Sequence, residues 1–217
     1  MLLLMLLFMQ DPQWTLKSDD SVFAIITQKA GLASGFAHNH LVVAPDPQLK
    51  LTLDPENLET LQFEFECESR KLEVDRAEDH SKWYDRIRQL DFFQEKFSFV
   101  DESDRAKIKK AMIGKDQLNV TVHPLIQAKV LSFHNQPLTG APADFTASIE
   151  LEFRVTGKRI NRTLPCRVVE AEGQLQFEVF GSYRFSEFGI KPYSAMLGAV
   201  RNQDEFFLYV NAVFVHP

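Results

Sequence analysis

Apolar and polar residues alternate with a period of two along much of the chain. In the clearest stretch, residues 145–155, every odd position is apolar and every even position is Thr, Ser, Glu or Arg. Because successive strand side chains point to opposite faces of a sheet, this pattern predicts a strand with one buried and one solvated face. Residues 49–54 and 61–68 follow the same pattern. Residues 206–215 are apolar on both faces, which predicts a strand covered on both sides.

The period changes in the middle of the chain. Trp83, Ile87 and Leu90 fall at helical spacing, and Ile108 and Met112 lie one turn apart in a second segment. We expect Ser103 to cap this second helix and Gly114 to end it. Strand signals return at residues 118–122 and 126–133. The sequence thus predicts two short helices interrupting a series of strands.

Counting these segments gives about eight antiparallel strands, the layout of an all-β, lipocalin-like up-and-down barrel that can hold one small ligand. A β-sandwich fits the same alternation, so periodicity leaves both architectures open. The 217 residues contain no long linker or low-complexity tract, which predicts a single domain over residues 11–217.

Residues 1–10 form an apolar leader, MLLLMLLFMQ, which we interpret as the remnant of a secretory signal segment. It has no basic residue ahead of it, no small-residue cleavage site behind it, and too few residues to span a bilayer. No other long apolar stretch follows, so no membrane span is predicted. We expect a periplasmic or secreted protein, with the cytoplasm as the alternative because the signal is incomplete.

Composition narrows the function classes. The net charge of -6 and the lack of a basic stripe argue against nucleic-acid binding. The 19 Phe residues suit a thick core or an apolar pocket, because Phe offers area without a polar atom. The 2 Cys residues, Cys67 and Cys166, are too few for a disulfide framework, and Cys67 is predicted to face inward as a reduced thiol.

Three stretches carry a resemblance to a known family. They are DRAKIKKAM followed by LNVTVHPLIQAKVLS within residues 104–132, LEFRVTGKRINRTL at 151–164, and FSEFGIKPYSAMLGAV at 185–200. In this order they resemble the helix and P-x-I-x-F-x-S strand, the L-T-L-x-G-V-T-R-x-V hairpin and the S-D-F-G-I-x-P loop of the YceI-like family, known as polyisoprenoid-binding or lipid-binding proteins. The resemblance implies an eight-stranded, lipocalin-like barrel that holds a long isoprenoid or similar lipid. Ala128 and Val130 depart from it, since they stand where the family pattern often has Phe and Ser.

The residues that would line such a cavity are predicted from the alternation of apolar and polar positions along the strands, and no motif identifies them. The predicted lipid-binding residues are Phe23, Ile25, Leu51, Phe63, Phe65, Ile149, Leu151, Phe153, Leu175, Phe177, Val179, Leu208 and Val210. Arg154 and Arg184 are candidate anchors for a phosphate or carboxylate head group, although an outward Arg on a strand is usually only solvated.

His38 and His40 are the strongest candidates for a site with metal-binding chemistry. They are two positions apart, which places them on one face of an extended segment. A metal site would need a third ligand from His80, His123, His134 or a carboxylate. We prefer the alternative in which both are hydrogen-bonded loop residues or one lies at the barrel mouth. The sequence contains no Gly-x-Ser-x-Gly, His-Glu-x-x-His or phosphate-binding Gly loop, so we expect no enzyme.

The leading hypothesis is non-catalytic binding or transport of a long-chain isoprenoid or similar amphiphilic lipid inside the barrel. Each buried CH₂ contributes about 0.8 kcal/mol, so a long chain needs few polar contacts. The expected partner is an isoprenoid, a quinone or a fatty-acyl lipid, with no cofactor beyond such a lipid and with a homodimer as a further candidate. The alternatives are a metal-dependent enzyme using His38 and His40, and a filled barrel that acts as an interaction scaffold through Tyr193, Phe207 and Tyr209.

Overall fold

The strands that the structure describes form one twelve-stranded antiparallel sheet. The computed structural model describes residues 14–32, 38–54, 56–93, 95–195, 197 and 199–215, so the predicted leader lies outside the described residues. The strands are β1 (Thr15–Leu16), β2 (Val22–Ala30), β3 (His40–Val43), β4 (Gln48–Asp54), β5 (Asn57–Glu68), β6 (Glu73–Val74), β7 (Leu125–His134), β8 (Ala147–Val155), β9 (Lys158–Ala171), β10 (Gln174–Arg184), β11 (Ser194–Ala195) and β12 (Val200–Val215).

The sheet is a meander that the carboxyl-terminal strand joins to the start of the chain. Its order is β4-β5-β7-β8-β9-β10-β12-β2-β3-β6, and it curls into a half-barrel with one concave face. The order ends at β4 and at the two-residue strand β6, and within the described residues no hydrogen-bonded ladder joins β4 to β6 or to β3. Pro45 and Pro47 lie between β3 and β4 and have no N–H to donate to a ladder. The predicted lipocalin-like antiparallel fold is confirmed, because the strands belong to one curled sheet rather than to two packed sheets.

Two hairpins depend on turn residues with positive φ. Thr156 and Gly157, with φ of 48° and 76°, connect β8 to β9. Glu172 and Gly173, with φ of 52° and 74°, connect β9 to β10. Positive φ at both central residues is the type I′ geometry, whose twist matches that of the flanking strands. The turn between β8 and β9 therefore lies at Thr156 and Gly157.

Two hydrophobic clusters lie on opposite faces of the curled sheet. The inner cluster takes its residues from the concave faces of the long strands, including Phe65, Phe153 and Phe177. The outer cluster joins Ala24, Ile26 and other outward residues of β2, β3 and β12 to a helix. That helix is α1 (Ala77–Gln89), whose Trp83 and Ile87 are buried.

Strand β12 contributes to both clusters. On its outer face the ring of Tyr209 lies 6.4 Å from that of Trp83 of α1, in an edge-on arrangement. On its inner face Phe206 and Leu208 belong to the inner cluster. The prediction that this apolar run is covered on both sides is confirmed, and α1 is the cover.

The second helix, α2 (Glu102–Ile113), begins at a different cap from the one predicted. Its cap is Asp101, whose carboxylate accepts a hydrogen bond of 2.8 Å from the backbone N–H of Asp104. Asp is as good a helix cap as Ser, and its negative charge also interacts favourably with the positive, amino-terminal end of the helix dipole. Gly114 ends the helix as expected. Residues 118–122 form turns, so the strand predicted there is wrong. Neither described helix is long and apolar enough to cross a bilayer.

A buried carboxylate attaches α1 to the sheet. The side chain of Glu178 in β10 is 1% exposed and lies on the outer face. It accepts hydrogen bonds from Arg86 Nε at 2.7 Å and from the Tyr209 hydroxyl at 2.9 Å, and Arg167 Nη1 lies 3.4 Å away. Hydrogen bonding to Glu178 raises the pKa of the Arg86 guanidinium above its ordinary value. A carboxylate this deeply buried is tolerable because its charge is paired and its oxygens are bonded.

We expect Arg86→Ala to lower the free energy of unfolding by about 2–4 kcal/mol, because it leaves the Glu178 charge buried without its bidentate partner. Urea unfolding followed by tryptophan fluorescence measures this loss. Asp85→Ala, at an exposed position of the same helix, is the control and should change stability by less than about 0.5 kcal/mol. Equal effects of the two substitutions would show that the buried pair does not hold α1 in place.

Candidate functional site

The concave face of the sheet surrounds a cavity of about 300 Å³. Most of its lining is aliphatic or aromatic, from the inner faces of the long strands and from α2. It reaches the surface beside α2, where its lining includes Lys107 and Tyr193, whose side chains are also exposed to solvent. The inner wall is mostly apolar because the period-two pattern directs the charged residues of the same strands outward.

The structure brings nearly all of the nominated residues to this cavity. Those that line it are Phe23, Ile25, Phe63, Phe65, Ile149, Leu151, Phe153, Phe177, Val179, Leu208 and Val210. Leu175 is inward and 2% exposed, but it packs in the inner cluster away from the cavity. Leu51 packs against the same cluster from β4, at the end of the hydrogen-bonded order, and is also outside the lining. Alternation predicts which face a residue occupies but not its position along the barrel axis.

A small residue makes room between two large ones. Ala128 of β7 is the register partner of Phe65 in β5 on one side and of Phe153 in β8 on the other. All three line the cavity. Directly paired residues share one face of the sheet, so a larger side chain at position 128 would project into the space between the two rings. The departure from the family pattern at this position therefore enlarges the cavity locally.

Several lining residues were not predicted. Ile108 and Met112 of α2 pack against the inner cluster and line the cavity, as do Phe188 and Ile190 just after β10. The one-turn spacing of Ile108 and Met112 marked an apolar helix face. Nothing in that spacing indicated which surface the face would cover.

Both cysteines line the cavity as free, buried thiols. Burial raises the pKa of Cys67 to about 12, and burial together with the nearby Glu178 charge raises that of Cys166 to about 12. At neutral pH both are therefore protonated and poor nucleophiles. The expectation that Cys67 faces inward as a reduced, packed thiol is confirmed.

Two histidines converge on one buried carboxylate near the cavity. The Asp75 side chain is 0% exposed. Its Oδ2 lies 2.7 Å from His40 Nδ1, and its Oδ1 lies 3.2 Å from His80 Nε2 and accepts the backbone N–H of Leu41 at 2.9 Å. Burial alone would raise the pKa of Asp75, but the hydrogen bonds from His40, His80 and Leu41 outweigh it and hold the pKa below its ordinary value. Asp75 is therefore an anion that connects β3 to the start of α1.

This arrangement differs from the metal site for which His38 and His40 were candidates. The two imidazole rings lie 6.3 Å apart with planes inclined at 57°, and His40 is bonded to Asp75. Across the residues that the structure describes, no three His, Cys, Asp or Glu side chains are grouped so that they could hold a metal ion. His40 is the first residue of β3 and lines the cavity.

The comparisons with known proteins concern the fold. No family model and no curated protein matches this chain. Among solved structures, BcnA of Burkholderia cenocepacia is similar over 92% of this chain and 99% of its own, with a TM-score of 0.61 and 10% identity. A polyisoprenoid-binding domain from Saccharophagus degradans, implicated in plant cell wall breakdown, is similar over 95% of this chain and 99% of its own, with a TM-score of 0.51 and 4% identity. The chain shares its fold with these two proteins.

Within this fold the two candidate arginine anchors lie away from the cavity. Arg154 is on the outer face of β8 and donates a hydrogen bond of 3.2 Å to Gln127 Oε1. Arg184, at the end of β10, is exposed and is also absent from the described lining. Arg154 has the parity of the outward set along β8, so the solvated alternative describes it better.

We expect Asp75→Asn to lower the free energy of unfolding at pH 7 by about 1.5–3 kcal/mol, because the variant loses a buried, charge-assisted hydrogen-bond acceptor. The pKa of Asp75 is depressed from 3.8, so its stabilisation is fully present above that pH and is lost as the pH falls through the folded-state pKa. The stability difference between wild type and variant should therefore shrink below about pH 4.

Urea unfolding measured from pH 7 to pH 3 tests this dependence. Asp46→Asn, in the exposed turn before β4, is the control and should change stability little at any pH. A difference between wild type and Asp75→Asn that stays constant across this range would contradict an ionised Asp75 as the stabilising group.

Proposed function

We propose that this protein is a non-catalytic carrier that holds the hydrocarbon chain of an isoprenoid, a quinone or a fatty-acyl lipid in its barrel. The observation that carries the proposal is the largely apolar cavity beneath the concave face, which opens beside α2. The polyisoprenoid-binding domain with the same fold supports it. Apolar pockets with a few polar groups are typical sites for small amphiphilic molecules.

The size of the cavity limits how much of a chain it encloses. Its volume of about 300 Å³ is at the lower end of the range of about 300–1,000 Å³ that is typical of small-ligand pockets, so the rest of a long chain would continue through the opening beside α2. Each CH₂ group that the cavity buries contributes about 0.8 kcal/mol, before the losses of freedom on binding.

The chemistry around the cavity favours a carrier over the alternatives. Its thiols are protonated, and His40 is engaged by Asp75, which weakens the proposal of a metal-dependent enzyme. The interior volume weakens the proposal of a filled barrel, and Tyr209 is buried under α1 rather than available as part of a surface patch. A periplasmic or secreted location and a homodimer stay predictions from the sequence.

Gently purified protein should carry a lipid-sized mass that persists under native conditions and disappears on denaturation. Native mass spectrometry followed by solvent extraction measures both. Unfolding of the same sample in acid and organic solvent serves as the control, because it releases a non-covalent ligand. The carrier proposal fails if the protein is recovered only as the bare polypeptide and does not bind dodecanol in a titration.

We expect Ala128→Phe to weaken binding of dodecanol at least tenfold. The new ring would occupy the space between Phe65 and Phe153, and excluding about two methylene groups costs about 1.6 kcal/mol. Displacement of a fluorescent naphthylamine probe measures the affinity, and thermal unfolding establishes that the variant folds.

Lys129→Phe is the matched control, because it adds the same ring at the next position of β7, on the exposed outer face. It breaks only an exposed ion pair with Glu64, with Nζ to Oε1 at 3.0 Å, so dodecanol binding should not change. Undiminished affinity in Ala128→Phe would place the ligand outside the barrel.

A further inference from the structure

We propose that Thr27 and His40 form a polar subsite in the cavity that holds the hydroxyl group of a long-chain alcohol. This inference rests on the proposed function and narrows its ligand class from any apolar chain to one that ends in an uncharged hydroxyl. It arises from two adjacent polar side chains in a mostly apolar wall.

The two side chains are neighbours on the inner face. Thr27 of β2 is the register partner of His40 in β3, and on its other side it is the partner of Phe206 in β12. Directly paired residues share one face, and Thr27 has the same parity as Phe23 and Ile25, which point inward. Thr27 and His40 both line the cavity. Asn202 of β12 also lines it.

Thr27 is a buried hydroxyl without a partner. The residue is 5% exposed, and its Oγ1 makes no hydrogen bond among the described residues. An unsatisfied buried hydroxyl is costly, and most buried polar groups in native proteins have a partner. Rotation about χ1 exchanges the hydroxyl and methyl groups of threonine, so a ligand in the cavity could accept or donate a hydrogen bond there.

His40 presents a defined hydrogen-bonding group. Asp75 is ionised and can only accept, so His40 Nδ1 carries the hydrogen of their 2.7 Å bond. In the neutral imidazole the other nitrogen, Nε2, is then an acceptor. Among the described residues Nε2 has no hydrogen-bond partner, and the side chain is 14% exposed. The bond to Asp75 also fixes the ring plane, so the acceptor is oriented before a ligand arrives.

The acceptor of His40 and the hydroxyl of Thr27 together match the hydrogen-bonding groups of an alcohol. Its O–H can donate to His40 Nε2 while its oxygen accepts from the Thr27 hydroxyl. An anionic head group is disfavoured because the buried charge of Asp75 lies directly behind His40. Lys107, a cation that also lines the cavity, does not offset this charge. Its side chain is 73% exposed and its Nζ is paired with Asp104 at 2.7 Å.

The test is Thr27→Val, which removes the hydroxyl and keeps the shape of the side chain. Affinities for dodecanol, dodecane and dodecanoate are measured by displacement of the same naphthylamine probe. Wild type should bind dodecanol more tightly than either of the others. The substitution should weaken dodecanol about fivefold, the equivalent of one hydrogen bond, and leave dodecane unchanged.

Thermal unfolding of the ligand-free protein supplies a second readout. Because Thr27→Val deletes an unsatisfied buried group, it should raise the melting temperature by about 2–4 °C while it weakens alcohol binding. Thr163→Val, on the exposed face of β9, measures how much of that increase comes from the preference of valine for strands. It should leave all three affinities unchanged.

The outcomes separate this inference from the proposed function. If dodecanol and dodecane bind equally, or if Thr27→Val weakens both to the same extent, the polar subsite is wrong while the carrier stands. Tighter binding of dodecanoate than of dodecanol would also overturn the subsite. If none of the three ligands binds, the carrier proposal fails and the subsite fails with it.

Discussion

Strand β12 is the element on which both hydrophobic clusters depend. It pairs with β10 on one side and with β2 on the other, so the last strand joins the meander to the beginning of the chain. Its inner residues form the wall of the cavity, and its outer residues form the surface on which α1 packs. Without this strand the edge of β2 opposite β3 would be unpaired, because hydrogen bonds join β2 to the long strands of the meander only through β12. An element buried on both faces has to be apolar on both faces, as residues 206–215 are.

The two faces of the sheet differ in how their polar groups are bonded. On the outer face, the Glu178 cluster beneath α1 buries polar groups that are bonded to one another. On the inner face, polar groups are few, and one of them, Thr27, has no partner among the described residues. A satisfied polar network fastens one element to another, whereas an unsatisfied group beside a cavity favours a ligand that completes it. The outer face therefore stabilises the fold, and the inner face is suited to binding.

Much of the cavity wall could be predicted because its residues obey a local rule. Phe153, Phe177 and Val179 lie where strict alternation places them, and each strand carries that information in its own sequence. Leu51 and Leu175 follow the same alternation but lie outside the cavity lining, because alternation does not predict how far along the barrel axis a residue lies. Ile108 and Met112 complete the wall from a helix, whose place depends on contacts with distant strands. The cap of α2 was misplaced by two residues because Ser103 and Asp101 are both good capping residues.

The amino-acid sequence by itself determined the strand periodicity, the two helices, the inward apolar faces and the resemblance to a YceI-like lipid-binding barrel. These follow from interactions between residues close in sequence, in which the period of the apolar positions selects the element and its buried face. Only the tertiary structure decided that Thr27 pairs with His40 across β2 and β3, that Asp75 orients that histidine, and that Ala128 leaves space between Phe65 and Phe153. Those relations join residues far apart in the chain, and their register is settled only when the whole sheet packs.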